Sequence, residues 1–238
     1  VRILVGIPVF NEVQYVQRVL SEVARFTEEI AVVDDGSTDG SLAILHRLRS
    51  ENLISHLIEH PENSGYGQAL IHLIELARNE NYEGLVTLDC DEQHQPSQIL
   101  EFIDALEACD CDIISGTRYP PEPAEGQDPP PEDRLEINRT ITAEINELTG
   151  YNLTDSFCGF KAYGRRALES LHVKEPGYGM PLELWIKAAA AGLKVEEIAV
   201  HRIYKDHTRS FGSELDIPDE RLAYYNQVIE DALKETRE

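Results

Sequence analysis

Two apolar runs in this chain, residues 30–33 (IAVV) and 85–88 (LVTL), each lead into a pair of carboxylates, and apolar residues at helical spacing fill the chain around them. A short unbroken apolar run reads as a strand buried on both faces, the kind found in parallel sheets. Parallel strands need long crossovers, here helices, so both faces of the sheet are covered. The carboxylates then stand at the C-terminal ends of strands, where open α/β sheets bind their ligands.

Taken in order, residues 2–9 (RILVGIPV) read as a first strand, ended by Asn11 and Glu12 before a helix over 13–26 that carries Val16, Val19, Leu20, Val23 and Phe26 on one stripe. After the second strand, residues 34–40 (DDGSTDG) form a turn that opens a helix over 41–48. A third strand over 55–60, a glycine turn over 63–67, a helix over 68–78, the central strand 85–88, a helix over 96–108 and a strand over 112–116 continue the alternation. Residues 120–133 break it: acidic, rich in proline and without apolar period, they read as a mobile, lid-like loop. A helix over 135–148 follows, then a short strand over 157–163 in which Gly159 permits close backbone approach, helices over 165–171 and 181–191, and a strand over 194–200. Residues 201–212 are locally basic, with Arg202, Lys205 and Arg209. An amphipathic helix over 219–238 carries Leu222, Tyr225, Ile229 and Leu233 on one stripe.

With 44 acidic against 21 basic residues the formal net charge is -23, which excludes nucleic acid as a partner and leaves at most peripheral contact with an anionic membrane. No apolar run approaches the roughly 18 residues of a membrane span, so a cytoplasmic protein is expected. Cys90, Cys109, Cys111 and Cys158 lack zinc-site spacing, and reduced thiols are expected. Neither a Gly-x-Gly-x-x-Gly after the first strand nor a phosphate loop with Gly-Lys-Ser/Thr is present. Asp89 and Asp91, two apart in extended backbone, share one face, and Gln93 joins them if the chain stays extended. Such a hard-oxygen cluster suits Mg²⁺ or Mn²⁺.

These segments together resemble family 2 glycosyltransferases, and within them the dolichyl-phosphate mannosyltransferase group. The likeness rests on Ile7-Pro8-Val9-Phe10-Asn11-Glu12, on residues 33–40 (VDDGSTDG), on residues 88–96 (LDCDEQHQP), on Gly116-Thr117-Arg118-Tyr119 and on residues 155–161 (DSFCGFK). It implies a GT-A-type nucleotide-sugar fold with a mostly parallel sheet and helices on both faces. It also implies inverting transfer from a GDP- or UDP-sugar to a polyprenyl phosphate, with transfer to a glycan hydroxyl, or a non-catalytic nucleotide-binding subunit, as the alternatives. Pro8, Asn11, Glu12 and Asp35 would line the nucleotide pocket, and Asp89, Asp91 and Gln93 would handle ribose, phosphate and metal. Arg118, Arg139 and Thr142 would face the acceptor phosphate, Arg209 would close on the donor from the tail, and a hydroxyl acceptor would need Asp155 or Glu183 as base. Tyr66 stands where a basic residue is common in the family, Cys158 where Ser is, and Lys161 where Arg is. The expected organisation is one glycosyltransferase domain over 1–215, with a nucleotide-sugar half (1–118) and an acceptor half (119–215), followed by a C-terminal helical segment (216–238). Self-association is left open.

Overall fold

The computed structural model describes residues 1–121, 128, 130, 132–201, 203 and 213–237. In chain order its elements are β1 (Ile3–Val9), α1 (Val16–Val23), β2 (Ile30–Asp34), α2 (Ser41–Ser50), β3 (His56–Glu59), α3 (Tyr66–Asn79), β4 (Gly84–Thr87), α4 (Ile99–Ala108), β5 (Ile113–Thr117), α5 (Glu132–Thr149), β6 (Lys161–Gly164), α6 (Arg165–Ser170), α7 (Met180–Ala190), β7 (Val195–Ala199) and α8 (Pro218–Glu235). The strands form one sheet in the order β3-β2-β1-β4-β6-β5-β7. All pairings are parallel except those of β6, which runs antiparallel to β4 and β5.

Every residue of β2, β4 and β5 is buried, as their unbroken apolar runs require. Two apolar clusters, one on each face, close the layers. One holds α1, α2 and α4 against the sheet; the other holds α3, α5, α7 and α8. The C-terminal helix is therefore part of the second layer, with Tyr225, Val228, Ile229 and Ala232 buried in it.

Two expectations are corrected. The strand expected over 157–163 begins only at Lys161, because residues 156–160 form a turn whose carbonyls are held by side chains. Cys109 and Cys111 are joined as a disulfide, whereas Cys90 and Cys158 are free and buried. The turn between α4 and β5 brings the pair's Cα atoms to 5.3 Å, inside the range that a disulfide spans. Among the described residues no helix is long and apolar enough to cross a membrane.

The start of α3 is set by Gly65, at φ 106, against whose α-carbon the Pro176 carbonyl oxygen packs. A Cβ there would overlap that oxygen, and an L-residue would be strained at this φ. Gly65→Ala should therefore lower stability by at least about 1–3 kcal/mol from strain alone, read from urea unfolding; an unchanged midpoint would mean that the turn relaxes freely.

Candidate active site

A cleft of about 940 Å³ opens along the C-terminal edge of the parallel strands. One side of it is built by the segments that follow β1, β2 and β4. Asn11, at φ 55, turns the chain out of β1, and its backbone N–H donates to Ser37 Oγ at 2.9 Å while its Oδ1 accepts from the Thr38 N–H at 2.8 Å. The Glu12 N–H donates to Ser41 Oγ and the Val13 N–H to Asp39 Oδ2. The first two motifs are thus laced together, and Pro8, Asn11, Glu12 and Asp35 all line the cleft as expected. Asp35 is buried, with the Ser64 and Gly65 N–H groups donating to its two oxygens at 2.8 and 2.9 Å.

Asp89, Asp91 and Gln93 also line the cleft, but not by continued extension. Glu92 sits at φ 60, and the Gln93 N–H donates to Asp91 Oδ1 at 3.0 Å, so the chain turns at once and brings Gln93 back beside Asp91. Asp89 accepts from the Tyr66 hydroxyl at 2.9 Å, and His94 Nε2 lies 3.4 Å from its other oxygen. Burial works against ionisation of Asp89, yet His94, Tyr66 and Arg118 more than offset it and hold the carboxyl below its usual range. Gly159 makes room for this: a Cβ there would lie 2.5 Å from Asp89 Oδ2 and 2.6 Å from Tyr66 Oη. The donor set is all oxygen, which fits a hard divalent cation.

On the acceptor side, Arg118 lines the cleft with Nε and one terminal nitrogen on Asp155, at 2.6 and 2.9 Å. Asp155 is fully buried and also accepts from Asn138 Nδ2 and the Phe157 N–H. Burial would raise its carboxyl, but the charge and hydrogen bonds of Arg118, with Asn138, bring it down to about 2. So engaged, Asp155 supports Arg118 and is not among the residues that line the cleft. Glu183, the other base considered, is likewise buried and takes the N–H groups of Lys174 and Glu175 and the ammonium of Lys187.

Helix α5 corrects a further expectation. Arg139 is exposed and Thr142 is buried against Asn138 and Ser156, so neither reaches the cleft. Arg134, Ile137 and Asn138 line it instead. One residue is about 100° of helical turn, enough to carry Arg139 from that face to solvent. The stripe Arg134, Ile137, Asn138, Ile141 at helical spacing is the signal in the sequence that places Arg134 on the inward face of α5. Arg221 and Tyr225 of α8 also line the cleft, Arg221 pairing with Asp133 at 2.8 Å. Phe157 packs on Tyr225, and Tyr178 stacks on Tyr66. Arg209 and most of the 120–133 loop lie outside the described residues.

A family model, Glycosyl transferase family 2, matches residues 4–171. The chain belongs to glycosyltransferase family 2. Among curated relatives, polyprenol monophosphomannose synthase of Mycolicibacterium smegmatis is 29% identical over 205 residues, covering 84% of this chain and 76% of that protein. Undecaprenyl-phosphate mannosyltransferase of Micrococcus luteus is 26% identical over 204 residues, covering 84% and 82%. Among solved structures, glucosyl-3-phosphoglycerate synthase of Mycobacterium tuberculosis, in complex with Mn²⁺, UDP and glucosyl-3-phosphoglycerate, superposes with a TM-score of 0.70 at 18% identity, covering 99% of this chain and 79% of that one. The fold of this family 2 glycosyltransferase is accordingly of the GT-A type, with a mostly parallel seven-stranded sheet. The family match ends at residue 171, before α7, β7 and α8.

Removing the charge of the fully buried Asp155 leaves the half-buried guanidinium of Arg118 without its ion partner. Asp155→Asn should cost about 3–5 kcal/mol of stability at neutral pH. Since the folded carboxyl is held at about 2, below its unfolded value of about 3.9, that stabilisation is complete above the unfolded value and fades as pH falls through the folded one. Urea unfolding of both proteins from neutral pH toward about pH 2 checks this: the gap should narrow by roughly 2 kcal/mol, and a constant gap would separate Arg118 from the ionised carboxylate.

Proposed function

We propose that this glycosyltransferase moves a sugar, with inversion, from a nucleoside diphosphate sugar to the phosphate of a polyprenyl phosphate. The observation that carries this reading is the lining of the acceptor side, where Arg118, Arg134 and Arg221 border an apolar wall of Ile137, Phe157 and Tyr225. Guanidinium groups beside apolar rings suit a ligand with a phosphate head and a hydrocarbon tail. The names of the two mannosyltransferase relatives support the same acceptor class. An acceptor phosphate oxygen is already anionic and attacks the anomeric carbon as the bond to the diphosphate oxygen breaks, so no base is needed. That agrees with Asp155 and Glu183 both being tied into structural contacts.

Asp91 and Gln93, with Asp89, would hold Mg²⁺ or Mn²⁺, and such an ion supplies neutralisation of charge on the leaving diphosphate. The remaining chemistry belongs to the chain. Asn11, Glu12 and Asp35 bind and orient the nucleotide, and the arginines fix the acceptor oxygen in line with the anomeric carbon.

Two arginines five residues apart on α5 separate this reading from a generic basic surface. Arg134→Ala should cut transfer to a short-chain prenyl phosphate roughly 100-fold, the loss expected of one charge-assisted contact, with UDP and GDP binding retained, and Arg139→Ala should stay within about twofold of wild type. Equal losses in both, or activity confined to hydroxyl acceptors, would overturn the phosphate acceptor. In calorimetry, UDP or GDP should bind at least about tenfold more weakly with EDTA than with Mn²⁺, and equal affinity would remove the metal from the donor site.

A further inference from the structure

From Asp35 a chain of hydrogen-bonded side chains runs back behind the cleft, and its other members have no part in the transfer as described above. His60, just past β3, places Nδ1 2.6 Å from Asp35 Oδ1 and Nε2 2.7 Å from His72 Nδ1. His72 Nε2 in turn lies 3.0 Å from Gln68 Nε2, one turn earlier on α3. Asp35 lines the cleft, His60 is buried, and His72 is half-buried.

The protons in this chain can be assigned by elimination. Both oxygens of Asp35 already accept backbone N–H groups, so the carboxylate is an acceptor throughout and the proton between it and His60 sits on Nδ1. The contact between the rings holds one further proton. With that proton on His72 Nδ1 both rings are neutral, and the bare His72 Nε2 accepts an N–H of the Gln68 amide. A third proton can enter at His72 Nε2, the less buried end. The Gln68 amide then turns its carbonyl oxygen inward, and one positive charge is shared by two rings beside Asp35. An amide's oxygen and nitrogen occupy nearly the same space, so both states fit the same packing.

We propose that Asp35, His60, His72 and Gln68 form a one-proton store behind the nucleotide pocket, in which the two histidines fix Asp35 as an acceptor and take up a proton when a nucleoside diphosphate binds. The coupling rests on the nucleotide-sugar reading of the cleft; the positioning of Asp35 does not. A multiply charged anion entering a protein of net charge -23 raises the proton affinity of groups behind its pocket, and by reciprocity protonation tightens the anion. Of the charged and titratable groups on the surrounding elements, Asp34 accepts the Ser37 N–H, Glu59 pairs with His46, Glu175 takes the Gly177 N–H and the Tyr224 hydroxyl, Glu62 and Glu75 are exposed, His56 bonds to Tyr82, and Arg78 at the far end of α3 donates to the Leu168 and Leu171 carbonyls.

Nitrogen NMR of the imidazoles tests the positioning directly. At about pH 8 both His60 and His72 should be Nδ1–H tautomers, the minor form of a histidine in water, and an Nε2–H form of either ring would overturn the chain. Calorimetry of UDP and GDP with Mg²⁺, in buffers of different ionisation heat, tests the coupling. Wild type should take up protons on binding and bind roughly fivefold tighter at about pH 6 than at about pH 8, while His72→Gln should lose most of both effects. Equal proton uptake in wild type and His72→Gln would overturn the coupling. Failure of both nucleotides to bind would overturn it together with the donor reading, and the tautomers would still decide the positioning.

Discussion

Asp155 has no exposure to solvent, and its charge is sustained there by Arg118, Asn138 and the backbone around it. The turn that follows is fixed just as firmly. Trp185 Nε1 donates to the Ser156 carbonyl, the Lys161 ammonium to that of Cys158, and Thr87 Oγ1 to that of Gly159. One end of this segment holds Arg118 in the lining of the cleft, and the other leaves room under Asp89 for its hydrogen bond to Tyr66. The antiparallel direction of β6 makes this sharing possible. Lys161 lies opposite Thr87, so the turn entering β6 reaches the same sheet edge as the C-terminal end of β4.

The donor side was legible in the sequence because strand ends position side chains by local rules. An apolar run fixes the strand, and whatever follows it stands at the edge. Pro8, Asn11, Asp35 and Asp91 line the cleft for that reason. The acceptor side was less legible, since a helix presents a side chain according to its rotation. Arg139 matched by motif position but lies one residue off the face that carries Arg134 and Asn138. The roles of Asp155 and Glu183 were hidden for a different reason. A carboxylate's environment depends on partners distant in sequence: Arg118 is 37 residues from Asp155, and only tertiary packing makes that acid a support. Tyr66 in a usually basic position lowers the charge near the donor, and its hydroxyl's place on Asp89 became visible only with the fold.

The net charge of -23 governs approach to the protein, whereas three arginines, two of them balanced by Asp155 and Asp133, line one side of the cleft. Under the proposed reading a phosphate head meets repulsion at long range, screened beyond roughly a Debye length of about 8–10 Å, and gains from those guanidinium groups only through direct hydrogen bonds. Discrimination in such a cleft falls on fit and short-range contact, with long-range steering contributing little.

The order of the strands has a consequence for synthesis of the chain. β3, β2, β1 and β4 are neighbours in the sheet and are complete by Thr87, so this part of the sheet assembles from contacts close in sequence. The acceptor half must wait for α5, for β6 and finally for α8, which brings Arg221 and Tyr225. As the polypeptide leaves the ribosome, a partly made chain can form the laced motifs around the donor side well before it can close the other wall. Until α8 docks, Phe157 lacks its packing partner Tyr225, so a nascent chain would leave that ring uncovered at the wall of the cleft.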